Sequence, residues 1–273
     1  MRGLIDWELL AELQSSPAMS QPAMWDAFAT RYDGYTRMQE YHTQSQIDLM
    51  NLQAHESVLD VGAGPGRISI PAAQRAHVVT ALDTSRRMLD MLERNASRAG
   101  VSNVHALHLG WEEVVPNQNV QQHDVVVASR SPAMRDLHKL TALARRTVYV
   151  MLFCSGSLKQ FHDRLVEGIE SMPTGGPARS AIAGHALVFN RAVAMGYEAH
   201  VTYLEDGFRK QYRNVNEAVK DFSWLNLPAG SEAIFHRNLR PFLKENEAGV
   251  ELLVRLRTAA VWWHKHRPAS DLN

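Results

Sequence analysis

The sequence holds a single cysteine, Cys154, in 273 residues. One thiol can form no disulfide within the chain, and a cysteine-based metal site would lack its second sulfur. Net charge is missing as well. The 29 Lys plus Arg are balanced by 29 Asp plus Glu. The chain as a whole is therefore not drawn toward nucleic acid or an anionic membrane. No apolar run approaches the ~20 residues needed to cross a bilayer. The start, Met1-Arg2-Gly3-Leu4-Ile5-Asp6-Trp7-Glu8, places acids where a secretory signal needs an unbroken apolar stretch. Internal repeats and low-complexity segments are absent too. These absences lead to the expectation of a cytoplasmic protein with neither membrane nor nucleic acid as partner.

Apolar residues make up 45% of the chain, enough for a sizeable core. Residues 1–56 read as a helical cap. Leu4, Ile5, Leu9, Leu10 and Leu13 recur at near-helical spacing, Pro17 and Pro22 interrupt it, and helical stretches resume near Trp25 and Met38. The character then changes. Short apolar strands at 57–61, 78–83, 104–109, 124–128 and 147–153 alternate with helices at 68–76, 85–99 and 135–144. That alternation predicts parallel βαβ units in a sheet covered on both faces. Residues 57–204 are thus read as a doubly wound, mostly parallel, seven-stranded α/β core. Residues 205–246 are expected to be a helical insertion acting as a lid. Residues 247–267 are expected to close the sheet, because Leu253, Arg255 and Arg257 alternate with Val254 and Leu256. Pro173-Thr174-Gly175-Gly176-Pro177 punctuates the region after the fifth strand, and 267–273 reads as a frayed tail.

The first strand runs into Asp60-Val61-Gly62-Ala63-Gly64-Pro65-Gly66, and a helix follows. Glycines let a backbone turn sharply and approach a ligand, and the helix start offers free N–H groups. The site suits a nucleoside-containing cofactor. The dinucleotide fingerprint places its third glycine one residue later. Asp60 would also repel a pyrophosphate, whereas a cationic sulfonium and amino acid tolerate a carboxylate.

Val58-Leu59-Asp60-Val61-Gly62-Ala63-Gly64-Pro65-Gly66 resembles the first motif of the class I S-adenosylmethionine-dependent methyltransferases. The resemblance implies that Asp60, Gly62, Ala63, Gly64 and Gly66 embrace the methionine part of S-adenosyl-L-methionine, with S-adenosyl-L-homocysteine as product. In Leu82-Asp83-Thr84-Ser85 it assigns Asp83 to the ribose diol, with Thr84 beside it and Met88 against adenine. After the third strand the family often reads Gly-Asp-Ala-Glu. Here Leu109-Gly110-Trp111-Glu112-Glu113 puts Gly110 at the Asp position, so Trp111 and Glu112 are the candidate adenine contacts. Ser129, in Ser129-Arg130-Ser131-Pro132, falls where family members approach the reacting centre. Trp25-Asp26-Ala27-Phe28-Ala29-Thr30-Arg31-Tyr32-Asp33 is similar to the segment that closes over the cofactor in small-molecule methyltransferases. Tyr32 is its cofactor candidate. Tyr35, Arg130 and Arg135 are candidate acceptor contacts.

No catalytic residue is assigned. Methyl transfer is an in-line displacement that mainly requires alignment, and a base is needed only where the acceptor loses a proton. No metal is expected. His105 and His108 point to opposite faces of a strand, and His264-Lys265-His266 has no third ligand. The functional expectation is methyl transfer to a small molecule, with a homodimer left open. Two alternatives remain: a cofactor-binding regulator or assembly subunit without catalysis, and an NAD(P)-dependent oxidoreductase.

Overall fold

The computed structural model describes Trp7, Leu9, residues 22–170, Met172 and residues 184–265. The leucine-patterned start, the Pro173–Pro177 run and the tail expected to fray lie outside the described residues, apart from Trp7 and Leu9 of that start. Val58, Leu59 and Val61 are each almost wholly buried, as are Val125, Val126, Val127 and Ala128. A strand can bury consecutive residues only when both faces of its sheet are covered, and both are. Leu59, Val61, Val126 and Ala128 face one core with Leu137, Leu140 and Val188. Val58, Val125 and Val127 face a second core with Ile47, Ile68 and Ala72.

The elements run α1 (Pro22–Met38), α2 (Glu40–Met50), β1 (Ser57–Val61), α3 (Ser69–Ala73), β2 (Val78–Asp83), α4 (Arg86–Arg98), β3 (Val104–His108), β4 (His123–Ser129), α5 (Leu137–Leu143), β5 (Ala144–Ser155), α6 (Leu158–Leu165), α7 (Gly184–Ala194), β6 (Ala199–Tyr212), α8 (Val215–Asp221), α9 (Glu232–Leu239), β7 (Leu243–Asn246) and β8 (Gly249–His264). The sheet order is β3-β2-β1-β4-β5-β8-β6, with β7 paired to β8. β1 to β5 are parallel. β8 runs antiparallel to β5, β6 and β7. The chain leaves β1 toward β2 on one side and returns to β4 on the other. The carboxyl ends of β1 and β4 therefore form a switch point, where an open α/β sheet offers its crevice.

Two features depart from expectation. The sheet has eight strands rather than seven, because β7 adds a short antiparallel edge. The segment 205–246 is not wholly helical. β6 continues unbroken from Ala199 to Tyr212, pairing Glu205 with Arg257 and Tyr212 with Val250. Only then do α8 and α9 follow. Polar residues on both faces of 205–211 hid this strand, and its pairing partner lies about forty residues on. Gly207 makes it continuous at φ +120, where a Cβ would meet the Val254 carbonyl oxygen at 1.8 Å. These long strands, with α1, α6, α8 and α9, enclose a third core around Tyr35, Phe161, Phe208, Phe222 and Phe235. Of the two tryptophans on β8, Trp263 is buried and Trp262 stacks on His200.

Candidate active site at the sheet switch point

The glycine loop leaves β1 with Gly62, Gly64 and Gly66 at φ +76, +55 and +97, the region open to glycine at little cost. The amides of Gly62 and Ala63 donate to the Leu82 carbonyl at 2.8 and 3.0 Å, tying the loop to the end of β2. The Gly64 amide donates to Asp83 Oδ2 at 2.8 Å, and Ser85 N donates to Oδ1 at 2.8 Å. Asp83 is thus oriented by two backbone donors. A carboxylate has about four acceptor positions, so each oxygen keeps capacity for a diol hydroxyl. Burial raises the Asp83 pKa, and the Ser85 and Gly64 amides oppose that rise. Met88 is buried one turn into α4, and its amide is capped by Ser85 Oγ at 3.1 Å. Thr84 lies between them, its carbonyl 3.1 Å from His108 Nε2.

Asp60 sits at the end of β1, 1% exposed, and accepts from Ser69 Oγ at 2.6 Å. Burial pushes its pKa up to about 6, against the Ser69 hydrogen bond and the Arg67 charge. Beyond the loop, α1 lies across the glycines. A methyl group on Gly64 would stand 3.5 Å from the Tyr32 ring. The loop thus has a narrow glycine-only face bounded by an aromatic ring, the shape a cofactor chain needs for close approach. Two acids fix α1 there. Asp26 accepts from Ser85 Oγ and from the Arg87 amide. Asp33 accepts from Asn95 Nδ2 at 2.7 Å, and Asn95 also holds the Pro65 carbonyl at 3.1 Å. Trp25, Phe28 and Tyr32 pack against one another along this helix.

At the end of β3, Gly110 donates its amide to Glu113 Oε2 at 2.9 Å. Glu112 is exposed. The Trp111 indole N–H is buried without a hydrogen-bond partner among the described residues, while Lys139 Nζ lies 4.9 Å from its ring centre. The candidate acceptor contacts separate. Tyr35 is buried in the third core. Its hydroxyl is paired with His162 Nδ1 at 2.8 Å and its ring lies 4.5 Å from that of Trp224. This takes it away from the acceptor-contacting place expected of it. Tyr35 lies about one turn beyond Tyr32, where α1 has passed the glycine loop and packs on the third core. Arg135 has an exposed side chain, and its backbone carbonyl accepts from Arg191. Arg130 and Ser129 are at the site.

Sequence reasoning missed the network around them. Arg130 directly follows β4 at φ +58, in the left-handed region that is costly for a side-chain-bearing residue. Its guanidinium is ion-paired with Asp206 of β6, hydrogen-bonded to Gln39 Oε1 at 2.9 Å, and stacked over Phe153 at 3.6 Å. Asp206 also accepts from Gln39, Gln46, Thr258 and the Gly207 amide. Burial alone would raise the Asp206 pKa, but the Arg130 and Arg67 charges and these donors outweigh it, and the pKa is lowered. Arg67, directly after Gly66, donates to Gln46 Oε1 at 2.9 Å, Thr43 Oγ1 at 3.3 Å and Ser129 Oγ at 2.6 Å. Burial and the Arg130 charge bring its pKa down to about 10. Arg67's place directly after the glycine motif was a usable signal. Asp206, far along the chain on a strand read as helix, offered none.

Residues 58–151 match a family described as a methyltransferase domain. With this strand order and glycine loop, residues 58–151 are a class I S-adenosylmethionine-dependent methyltransferase domain, and S-adenosylmethionine is its cofactor. An uncharacterized protein of Haemophilus influenzae is 29% identical over 258 residues, which cover 90% of each chain. An uncharacterized RNA methyltransferase of Enterococcus faecalis is 29% identical over 123 residues, 44% of this chain but 27% of that protein. This chain therefore spans the length of the first relative and about a quarter of the second. The YcgJ protein from Bacillus subtilis shares the fold, with a TM-score of 0.52 at 14% identity over 84% of this chain and 99% of that one. Among the described residues, no helix is long and apolar enough to cross a membrane.

Proposed function

We propose that this methyltransferase acts on a small-molecule acceptor. The observation that carries the proposal is the closure of α1 over the glycine loop, anchored by Asp26 and Asp33. A lid bearing aromatic rings, tied down at both ends, suits a small enclosed acceptor. The RNA methyltransferase likeness spans 44% of this chain, so it is no guide to the parts that would choose an acceptor.

The residues proposed to hold the cofactor are Asp60, Gly62, Ala63, Gly64 and Gly66 at its amino-acid end, Asp83 and Thr84 at the ribose, and Met88, Trp111 and Glu112 around adenine. Tyr32 and Ser129 border the reacting centre. When bound, the cofactor supplies an activated methyl group. The protein's part is alignment and exclusion of water. The α1 lid, the glycine loop and the end of β4 supply both.

Methyl-labelled cofactor incubated with metabolite and RNA fractions of a cell extract tests this. Label in the metabolite fraction is expected. Label found only in RNA refutes the small-molecule reading. Tight cofactor binding with no transfer to either fraction favours a non-catalytic regulator or assembly subunit.

A further inference from the structure

The end of β4 collects more hydrogen-bond donors than its own acceptors satisfy. Arg67 and Arg130 belong to one network: Arg67 donates to Gln46 Oε1, and Gln46 Nε2 donates to Asp206, the ion-pair partner of Arg130. Among the described residues, Asp206 is the acid bonded to Arg130, and it is also engaged by Gln39, Gln46, Thr258 and the Gly207 amide. Arg67 itself donates to three neutral oxygens, those of Gln46, Thr43 and Ser129. The next acid, Asp60, directs Oδ2 to Ser69. A guanidinium withdrawn from water and met by neutral acceptors keeps much of its desolvation cost uncompensated.

Two further groups at this strand end are left over. Arg130 Nε and Ser131 Oγ are both buried without a hydrogen-bond partner among the described residues. The Arg130 side chain is 7% exposed, so its spare N–H cannot turn to bulk water. Ser131 abuts the cofactor loop: a Cβ on Gly62 would stand 2.3 Å from Ser131 Cβ and 3.0 Å from its Oγ. Buried donors usually have partners, so an unpaired pair beside a ligand loop marks the place of an absent acceptor.

We infer that the methyl acceptor is an organic acid, whose carboxylate is received at the end of β4 by Arg67, Arg130 Nε and Ser131 Oγ. The inference rests on the small-molecule reading and adds the charge class of the acceptor. Charge-assisted hydrogen bonds from guanidinium to carboxylate are stronger than those Arg67 makes to neutral oxygens. They would fix the acceptor's orientation beside the loop, which is the alignment methyl transfer needs. An amine acceptor would instead face two like charges.

The test separates the extract's metabolites by anion exchange before reaction. Retained acids and unretained compounds are then each incubated with the full-length protein and methyl-labelled cofactor. Label is expected from the acid pool. Arg67→Gln is expected to raise the acceptor KM tenfold or more while S-adenosylhomocysteine affinity by calorimetry stays within twofold. Arg67→Lys is expected to recover part of the loss, because it restores the charge without the fork. Retained affinity for S-adenosylhomocysteine shows that a variant is folded. Label only from unretained compounds, or an unchanged KM in Arg67→Gln, overturns the inference and leaves the small-molecule reading standing. Label from neither pool overturns both.

Discussion

At the scale of single residues, the site is built from conformations and charges that ordinary surfaces avoid. Gly62 combines a left-handed backbone with a contact that leaves no room for Cβ. Gly62→Ala is expected to cost about 1–3 kcal/mol in backbone strain, with a further penalty as Ser131 shifts. Urea unfolding and calorimetric titration with S-adenosylhomocysteine would show both lower stability and weakened binding. Asp60 carries a second, opposite kind of cost. Its folded pKa is raised to about 6 from an ordinary 3.8, mainly by burial. The folded state therefore binds the proton more tightly than the unfolded state. The group's contribution to stability is present below the unfolded value and is lost as pH rises toward the folded value. Asp60→Asn is expected to be more stable than the wild type at pH 8, by about 2–3 kcal/mol, and to show no difference near pH 3.5. The same variant should bind S-adenosylhomocysteine more weakly at pH 8. In the wild type, that affinity should fall below pH 6 as the carboxylate takes up a proton.

At the scale of elements, the polar network joins parts of the chain that the sheet alone would leave independent. Arg67 follows the β1 loop, Arg130 follows β4, Asp206 and Thr258 come from β6 and β8, and Gln39 and Gln46 border or lie on α2. Its members are buried, so removing one partner leaves charge uncompensated. Asp206→Ala is expected to destabilise the protein by about 3–5 kcal/mol, measured by urea unfolding. A loss below 1 kcal/mol would mean that the network contributes little to joining these elements. The α1 lid depends on a similar but lighter set of links. Its Gly34 packs directly under Trp224, where a Cβ would come within 2.4 Å of the ring. α1 is thereby tied both to the glycine loop and to the segment between β6 and β7.

At the scale of the whole molecule, a ligand held between β1, β2 and α1 would couple the lid to the core. A ligand that binds only the folded state adds about 2.7 kcal/mol at a hundredfold excess over Kd. Saturation with S-adenosylhomocysteine should therefore raise the Tm by roughly 5–10 °C for a chain of this size. An equal response to a nicotinamide dinucleotide in differential scanning fluorimetry would contradict the assignment of the glycine loop. The eight-stranded sheet gives this coupling a path, since its central strands carry both halves of the site.

The sequence by itself determined the parts whose signals are local. Apolar runs punctuated at regular intervals define the parallel core, because strands covered on both faces have few polar positions. Asp60, the three glycines and Asp83 were legible because a tight turn and a strand end constrain residue type over a few neighbours. Only the tertiary structure decided the rest. Tyr32 and Tyr35 are three residues apart, yet one borders the glycine loop and the other is sealed in the third core. Asp206 reaches Arg130 across 76 residues, and Thr258 reaches it across 128. Buried charges are selected by partners in space, and no pattern along the chain records which partner that is.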